Sequence, residues 1–195
     1  MMLGKILSEW KEFWEIAEIG GIARRYFAIN LFDEILTIIG ILIASFFSNV
    51  TDLKVVALAV IGASIAMTVS GVWGAYLTEM AERKGKIRRL EKRMSISLDR
   101  SPIARAHKFA SVFLGLVDGV LPMIAAPLMI FPLFLAIPVN TAYYISFATS
   151  FFLLFVTGAY LGKISKENLF VSGIRMLFVG LLCAVLIYIV ELIIK

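Results

Sequence analysis

The sequence predicts an all-α integral membrane protein with five transmembrane helices. Hydrophobic residues make up 61% of the 195 residues and charged ones only 17%, whereas soluble domains average nearer half and a quarter. The mean hydropathy is +0.93. Several apolar runs reach or approach the roughly 20 residues that a helix needs to cross a bilayer. The formal charge of +5 does not imply a nucleic-acid partner. Its basic excess flanks the apolar runs, where such residues set orientation.

Residues 1–20 contain SEWKEFWEIAEI, with Trp10, Phe13, Trp14 and Ile16 set among charges. Tryptophan and lysine together suit the headgroup region, so an amphipathic helix lying on the membrane surface is expected here. Glu9, Glu12, Glu15 and Glu18 would interrupt the apolar core of a secretory signal. Residues 21–195 are read as one transmembrane domain.

The first span, about 26–48, reads YFAINLFDEILTIIGILIASFFS and holds two adjacent acids, Asp33 and Glu34. At about 1.5 Å per residue Asp33 lies roughly 10 Å into a hydrocarbon core about 30 Å thick. A carboxylate at that depth is costly and usually faces a protein interior or a water-filled path. Asn30, Asp33, Glu34 and Thr37 follow i, i+3, i+4, i+7 spacing, so they form a polar stripe on an apolar helix. We read that stripe as a binding path for a cation in transit. Glu34 has an alternative, which is to pair with a basic or hydroxyl group on a neighbouring helix.

The second span, about 55–79, is rich in small residues. Gly71 and Gly74 are expected at a helix-packing face, where small side chains let backbones approach in lipid. The basic loop 80–108 carries Arg83, Lys84, Lys86, Arg88, Arg89, Lys92 and Arg93. It should prolong the second helix into water before turning at Ser101-Pro102. Its first role is to hold the cytoplasmic side, and binding of anionic headgroups comes second. His107 reads as an interfacial residue rather than a metal ligand. The third span, about 109–134, holds Asp118 and then Pro122, Pro127 and Pro132, which should break the helix. The fourth and fifth spans are about 143–161 and 171–194. Cys183, the single cysteine, sits in the last span and needs no role beyond packing.

Basic residues crowd the amino terminus and the 80–108 and 162–175 loops, while the 49–54 and 135–142 loops are nearly bare. The charge rule therefore places the amino terminus inside and the carboxyl terminus outside. An internal repeat is also visible. FDEILTIIGILI around Asp33 parallels VDGVLPMIAAPLMI around Asp118, and GAYLTE at Gly74 parallels GAYLGK at Gly158 about forty residues later. The spans then form two parallel two-helix repeats plus a fifth helix, with Gly158 packing as Gly74 does. Duplicated halves around a central site are common among transporters.

GIARRYFAINLFDEILT at Gly21–Thr37, GAYL at Gly74–Leu77, Gly119–Pro122 with Pro127, and TGAYLGKIS followed by SGIRMLFVGLLCA together resemble the vacuolar iron transporter family. Gly21, Arg25 and Asp33 fall at the family's first-helix positions, and Glu34 replaces its glycine. The resemblance implies a homodimer that moves iron(II) or a similar divalent ion out of the cytosol along the dimer interface in exchange for protons. It also implies that Asp33 lines the path. The membrane would be the cell membrane in a prokaryote and a vacuolar or other organelle membrane in a eukaryote. Members with an iron-capturing region carry a long glutamate-rich insertion after the second span, whereas the corresponding loop here is short and basic. The family's second-helix methionine corresponds to Gly71, and Met67, one turn earlier, is the candidate to stand in for it.

On that reading Asn30, Asp33, Glu34 and Met67 supply metal ligands, and Glu79 is the first ligand met at the cytoplasmic mouth. Carboxylate oxygen with a thioether favours iron(II) or manganese(II) over magnesium. A carboxylate must lose its proton to bind metal, which gives exchange a physical basis at Asp33, with Asp118 as a second proton-handling group. The ion is cargo, and no permanently bound cofactor and no enzymatic activity are expected. Two other functions are compatible with these residues, a non-transporting scaffold or regulator with the same fold and, less favoured, a metal-dependent lipid enzyme embedded in the membrane.

Overall fold

The computed structural model describes Trp14 and residues 19–98, 101–120 and 122–194. Helices dominate. α1 is Ile19–Phe47, α2 Leu53–Met94 and α3 Pro102–Val120. A 3₁₀ turn at Pro122–Ile124, α4 at Ala125–Ile130 and a second 3₁₀ turn at Phe131–Phe134 follow. α5 is Val139–Ser165 and α6 Leu169–Ile194. Five stretches are long and apolar enough to cross a membrane, with α3 through Phe134 forming the third. The fold is that of an all-α, multi-pass membrane protein. Of the surface helix expected over 1–20, all but Trp14, Ile19 and Gly20 lies outside the described residues; Trp14 meets the Phe113 ring edge-on at 5.3 Å.

Sequence chemistry explains where the helices stop. The turn that follows α1 passes through Asn49, whose φ of 55° lies in the left-handed region that asparagine tolerates. α2 runs well past its apolar segment, through the basic stretch to Met94, since nothing between Leu53 and Met94 breaks a helix. Ser101 caps α3 by accepting the Ala104 N–H at 3.1 Å, and Pro102 takes the first helical position, where its missing N–H costs nothing. The third span is interrupted near Pro122 and again near Pro132, in accord with the loss of backbone donors there. α5 closes with Lys166 at φ 58°, and the Glu167 N–H reaches the Gly162 carbonyl at 2.9 Å, a Schellman-type ending. Asn168 Oδ1 then accepts from Phe170 and Val171 and starts α6.

The chain divides into two compact units, 1–27 with 68–121 and 28–67 with 122–195. In the first, Ile19 and Ala23 of α1 pack with Ala110, Leu114 and Val117 of α3. The same unit brings α2 against α3 through glycine. A Cβ on Gly115 would lie 2.8 Å from the Val72 carbonyl oxygen, and one on Gly119 would strike the Thr68 carbonyl. Only a residue without a side chain permits that approach.

In the second unit, Ile35, Ile38, Ile39 and Leu42 of α1 pack with Val56 and Val60 of α2 and with Met129, Tyr143 and Leu154. The Tyr143 hydroxyl donates to the Val50 carbonyl at 2.9 Å. α5 and α6 interlock through small residues. A Cβ on Gly158 would lie 2.6 Å from the Ser172 carbonyl oxygen, Gly162 faces the Ser172 side chain, and Gly173 and Gly180 receive Phe155 and Leu154. Gly74, expected at a packing face, departs from this pattern, because a Cβ there would meet nothing within 4 Å. The crossing in the first unit falls on Gly71, Gly115 and Gly119 instead.

Candidate functional site: acids on the first two helices

The polar stripe of α1 divides. Ile35, Ile38, Ile39 and Leu42 are buried and define the inward face of α1 in the second unit. Glu34 lies one turn before Ile38 on that face and is 1% exposed. Its carboxylate accepts a hydrogen bond from the Ser64 hydroxyl of α2, and Ser64 is itself buried. Asp33 points the other way and is exposed. Consecutive residues on a helix differ by about 100° in direction, so the two carboxylates occupy different surroundings rather than one shared cup. Asn30, Thr37 and Met67 are half-buried. Glu34 thus takes the alternative of a hydroxyl partner on a neighbouring helix.

A second set of polar side chains belongs to the first unit. Glu79 and Arg83 of α2 are each 4% exposed. Glu79 Oε2 accepts from Arg83 Nε at 2.8 Å, and Glu79 Oε1 accepts from the Tyr26 hydroxyl at 2.9 Å. Arg83 Nη1 lies 3.2 Å from Nδ1 of His107. A guanidinium can only donate, so Nδ1 accepts and the imidazole keeps its hydrogen on Nε2. Glu79, expected to meet metal at the cytoplasmic mouth, therefore has both oxygens occupied. A cation there would share the carboxylate with a buried arginine. The Glu79–Arg83 spacing is the ordinary i,i+4 pairing of a helix and was open to view in the sequence. Tyr26 and His107 come from other helices, and only the fold reveals them.

Asp118 of α3 is nearly buried and lies against Gly71. A Cβ on Gly71 would sit 3.3 Å from Asp118 Oδ2 and 3.1 Å from Gly119 Cα. A methionine at 71, as in the resembled family, would not fit this crossing without movement of α3. Within the first unit Asp118 thus belongs with Gly71 and Gly119, and within the second Glu34 belongs with Ser64. No group of three His, Cys, Asp or Glu side chains suited to hold a metal ion occurs among the described residues.

No protein-family model matches the sequence, and no solved structure matches it. The uncharacterized protein MJ0645 of Methanocaldococcus jannaschii is 33% identical over 172 residues, covering 86% of this chain and 87% of that one. With so much of both lengths shared, the chain belongs to the same family as that archaeal protein.

Proposed function

We propose that the protein is a proton-coupled exporter of a divalent metal cation, iron(II) or manganese(II), that works as a homodimer. The observation that carries this reading is Asp33. It is an exposed acid in the middle of a membrane-spanning helix, and it has no hydrogen-bond or ion-pair partner among the described residues. Lipid is a poor environment for a carboxylate, so such a residue calls for a cavity, a cation or a second copy of the chain to cover it. A two-fold seam through Asp33 would bring two carboxylates together. Oxygen donors of that kind take a hard or borderline divalent ion and release protons as they do so. Glu34, one residue away and facing inward to Ser64, supports the reading as a second acid that holds the helix pair while Asp33 meets the ion. Resemblance to the vacuolar iron transporters in the segment around Asp33 points the same way.

The test is a flux assay. The purified chain is reconstituted into liposomes that trap a metal-sensitive dye and a pH dye, and iron(II), manganese(II), cobalt(II) and magnesium are supplied in turn. Uptake of iron(II) or manganese(II) coupled to proton movement in the opposite direction is expected, with Asp33→Asn losing both while keeping the elution volume of the wild type. Wild-type rates in Asp33→Asn, or no metal flux from either protein, would end this proposal.

A further inference from the structure

The geometry points to a binding site for a phosphate-bearing anion in the first unit, at the level where α2 leaves its apolar segment. A cavity of about 430 Å³ lies there, between the face of α2 that bears Arg83, Lys84, Arg88 and Glu91 and the face of α3 that bears His107 and Lys108. The i, i+4, i+7 spacing of Lys84, Arg88 and Glu91 keeps those three on one face of α2, with Arg83 beside them at the buried end, and His107 and Lys108 line the cavity from α3.

The charge of this hollow is one-sided. Four of its lining residues are cations, Arg83, Lys84, Arg88 and Lys108, against the single acid Glu91. One oxygen of Glu91 is taken by the backbone N–H of Leu98 at 2.8 Å. Arg83, at the buried end, is held by Glu79. Lys84, Arg88 and Lys108 are exposed at the rim and have no hydrogen-bond or ion-pair partner among the described residues. His107 adds a donor, because its Nδ1 accepts from Arg83 and its Nε2 carries the hydrogen. Ammonium, guanidinium and imidazole N–H groups converging on a concave space are the donor set that phosphate oxygens accept from. An orientation rule based on counting basic residues asks only for their number near the membrane surface. It does not ask that they face one another across a hollow, which is what α2 and α3 achieve here.

A phosphate group could arrive on an anionic lipid, since the cavity lies where a membrane-spanning helix emerges, or as a soluble phosphate. Both offer the same oxyanion, and the site is independent of the transport reading above. The experiment uses the full chain in detergent. Native mass spectrometry counts retained lipid after addition of phosphatidic acid or phosphatidylcholine, and thermal denaturation is followed with excess inorganic phosphate. We expect selective retention of phosphatidic acid. The double substitution Lys84→Gln/Arg88→Gln on α2 and the single Lys108→Gln on α3 should each weaken it, the double by at least about tenfold, as expected when charge-assisted hydrogen bonds are removed. The pair Arg89→Gln/Arg93→Gln removes equal charge from α2 outside the cavity and should change retention by less than about twofold, the small effect of a solvent-screened surface charge. Displacement of the lipid by inorganic phosphate, together with stabilisation by phosphate alone, would assign the site to a soluble anion. Lipid retention indifferent to phosphate would assign it to a headgroup. Equal losses in the cavity and control pairs, or no binding of either probe, would overturn the proposal.

Discussion

The two compact units each bury a glutamate of the first two helices, and they treat it differently. In the first, Glu79 is matched by a cation one turn along its own helix and by a tyrosine hydroxyl, so its charge is balanced on the spot. In the second, Glu34 has the hydroxyl of Ser64 and no cation beside it among the described residues. The comparison separates two uses of an acid in an apolar setting. A glutamate locked to arginine has its charge balanced within the unit, and a glutamate held by a hydroxyl alone does not. The units also differ in how their helices touch. Gly115 and Gly119 bring α3 onto the backbone of α2 in the first, while in the second Gly162, Gly173 and Gly180 take in side chains of the facing helix and Gly158 meets both the Met176 side chain and the Ser172 carbonyl.

The sharpest way to break this contrast is Glu79→Gln. It leaves the Arg83 guanidinium buried without its counter-charge, and loss of one partner of a buried pair costs about 3–5 kcal/mol. Thermal or denaturant unfolding in detergent micelles should show a large destabilisation. A change within about 1 kcal/mol, the size of a surface pair, would mean that water screens the ion pair and that the two acids are alike.

Glycine contacts give an intermediate effect. Gly119→Ala pushes a methyl group into the Thr68 carbonyl and Val72 of α2, and overpacking of this kind costs about 1–3 kcal/mol. Gly74→Ala meets open space and should be neutral or slightly stabilising by the same measurement, since alanine is the better helix former. Equal losses at the two positions would show that Gly74 packs against something outside the single chain, and a second protomer would then be the first candidate.

The smallest stability effect belongs to Glu34→Gln. Glutamine keeps the size and can still accept from Ser64 Oγ, so stability should change by about 1 kcal/mol or less, the net worth of one hydrogen bond. Metal-driven proton movement should fall in the same variant if Glu34 assists Asp33. A stability loss as large as that of Glu79→Gln would mean that Glu34 is locked as firmly as Glu79.

Much of the fold was legible in the sequence because lipid imposes it. Spans and breaks follow from apolar length, from Pro122 and Pro132, and from the Ser101-Pro102 start of α3. Side-chain destinations were harder to read. The stripe from Asn30 to Thr37 fits one face by spacing alone, yet Ile35, Ile38, Ile39 and Leu42 form the buried face and draw Glu34 inward with them. Aligning the stripe to those four isoleucine and leucine positions would have separated Asp33 from Glu34. Arg83 reads as one of the orientation charges by number alone, and its i,i+4 distance from Glu79 is the signal that sets it apart. The part played by Tyr26 and His107 had no local signature, because it depends on which helices become neighbours.

The hairpin of α5 and α6 has a bearing on how the chain is made. Its turn, Lys166–Asn168, is closed by local hydrogen bonds, and its glycines meet partners only a short way along the sequence. Contacts so near in sequence form quickly. These two helices can therefore zip together as they enter the bilayer, without waiting for any earlier segment to find its place.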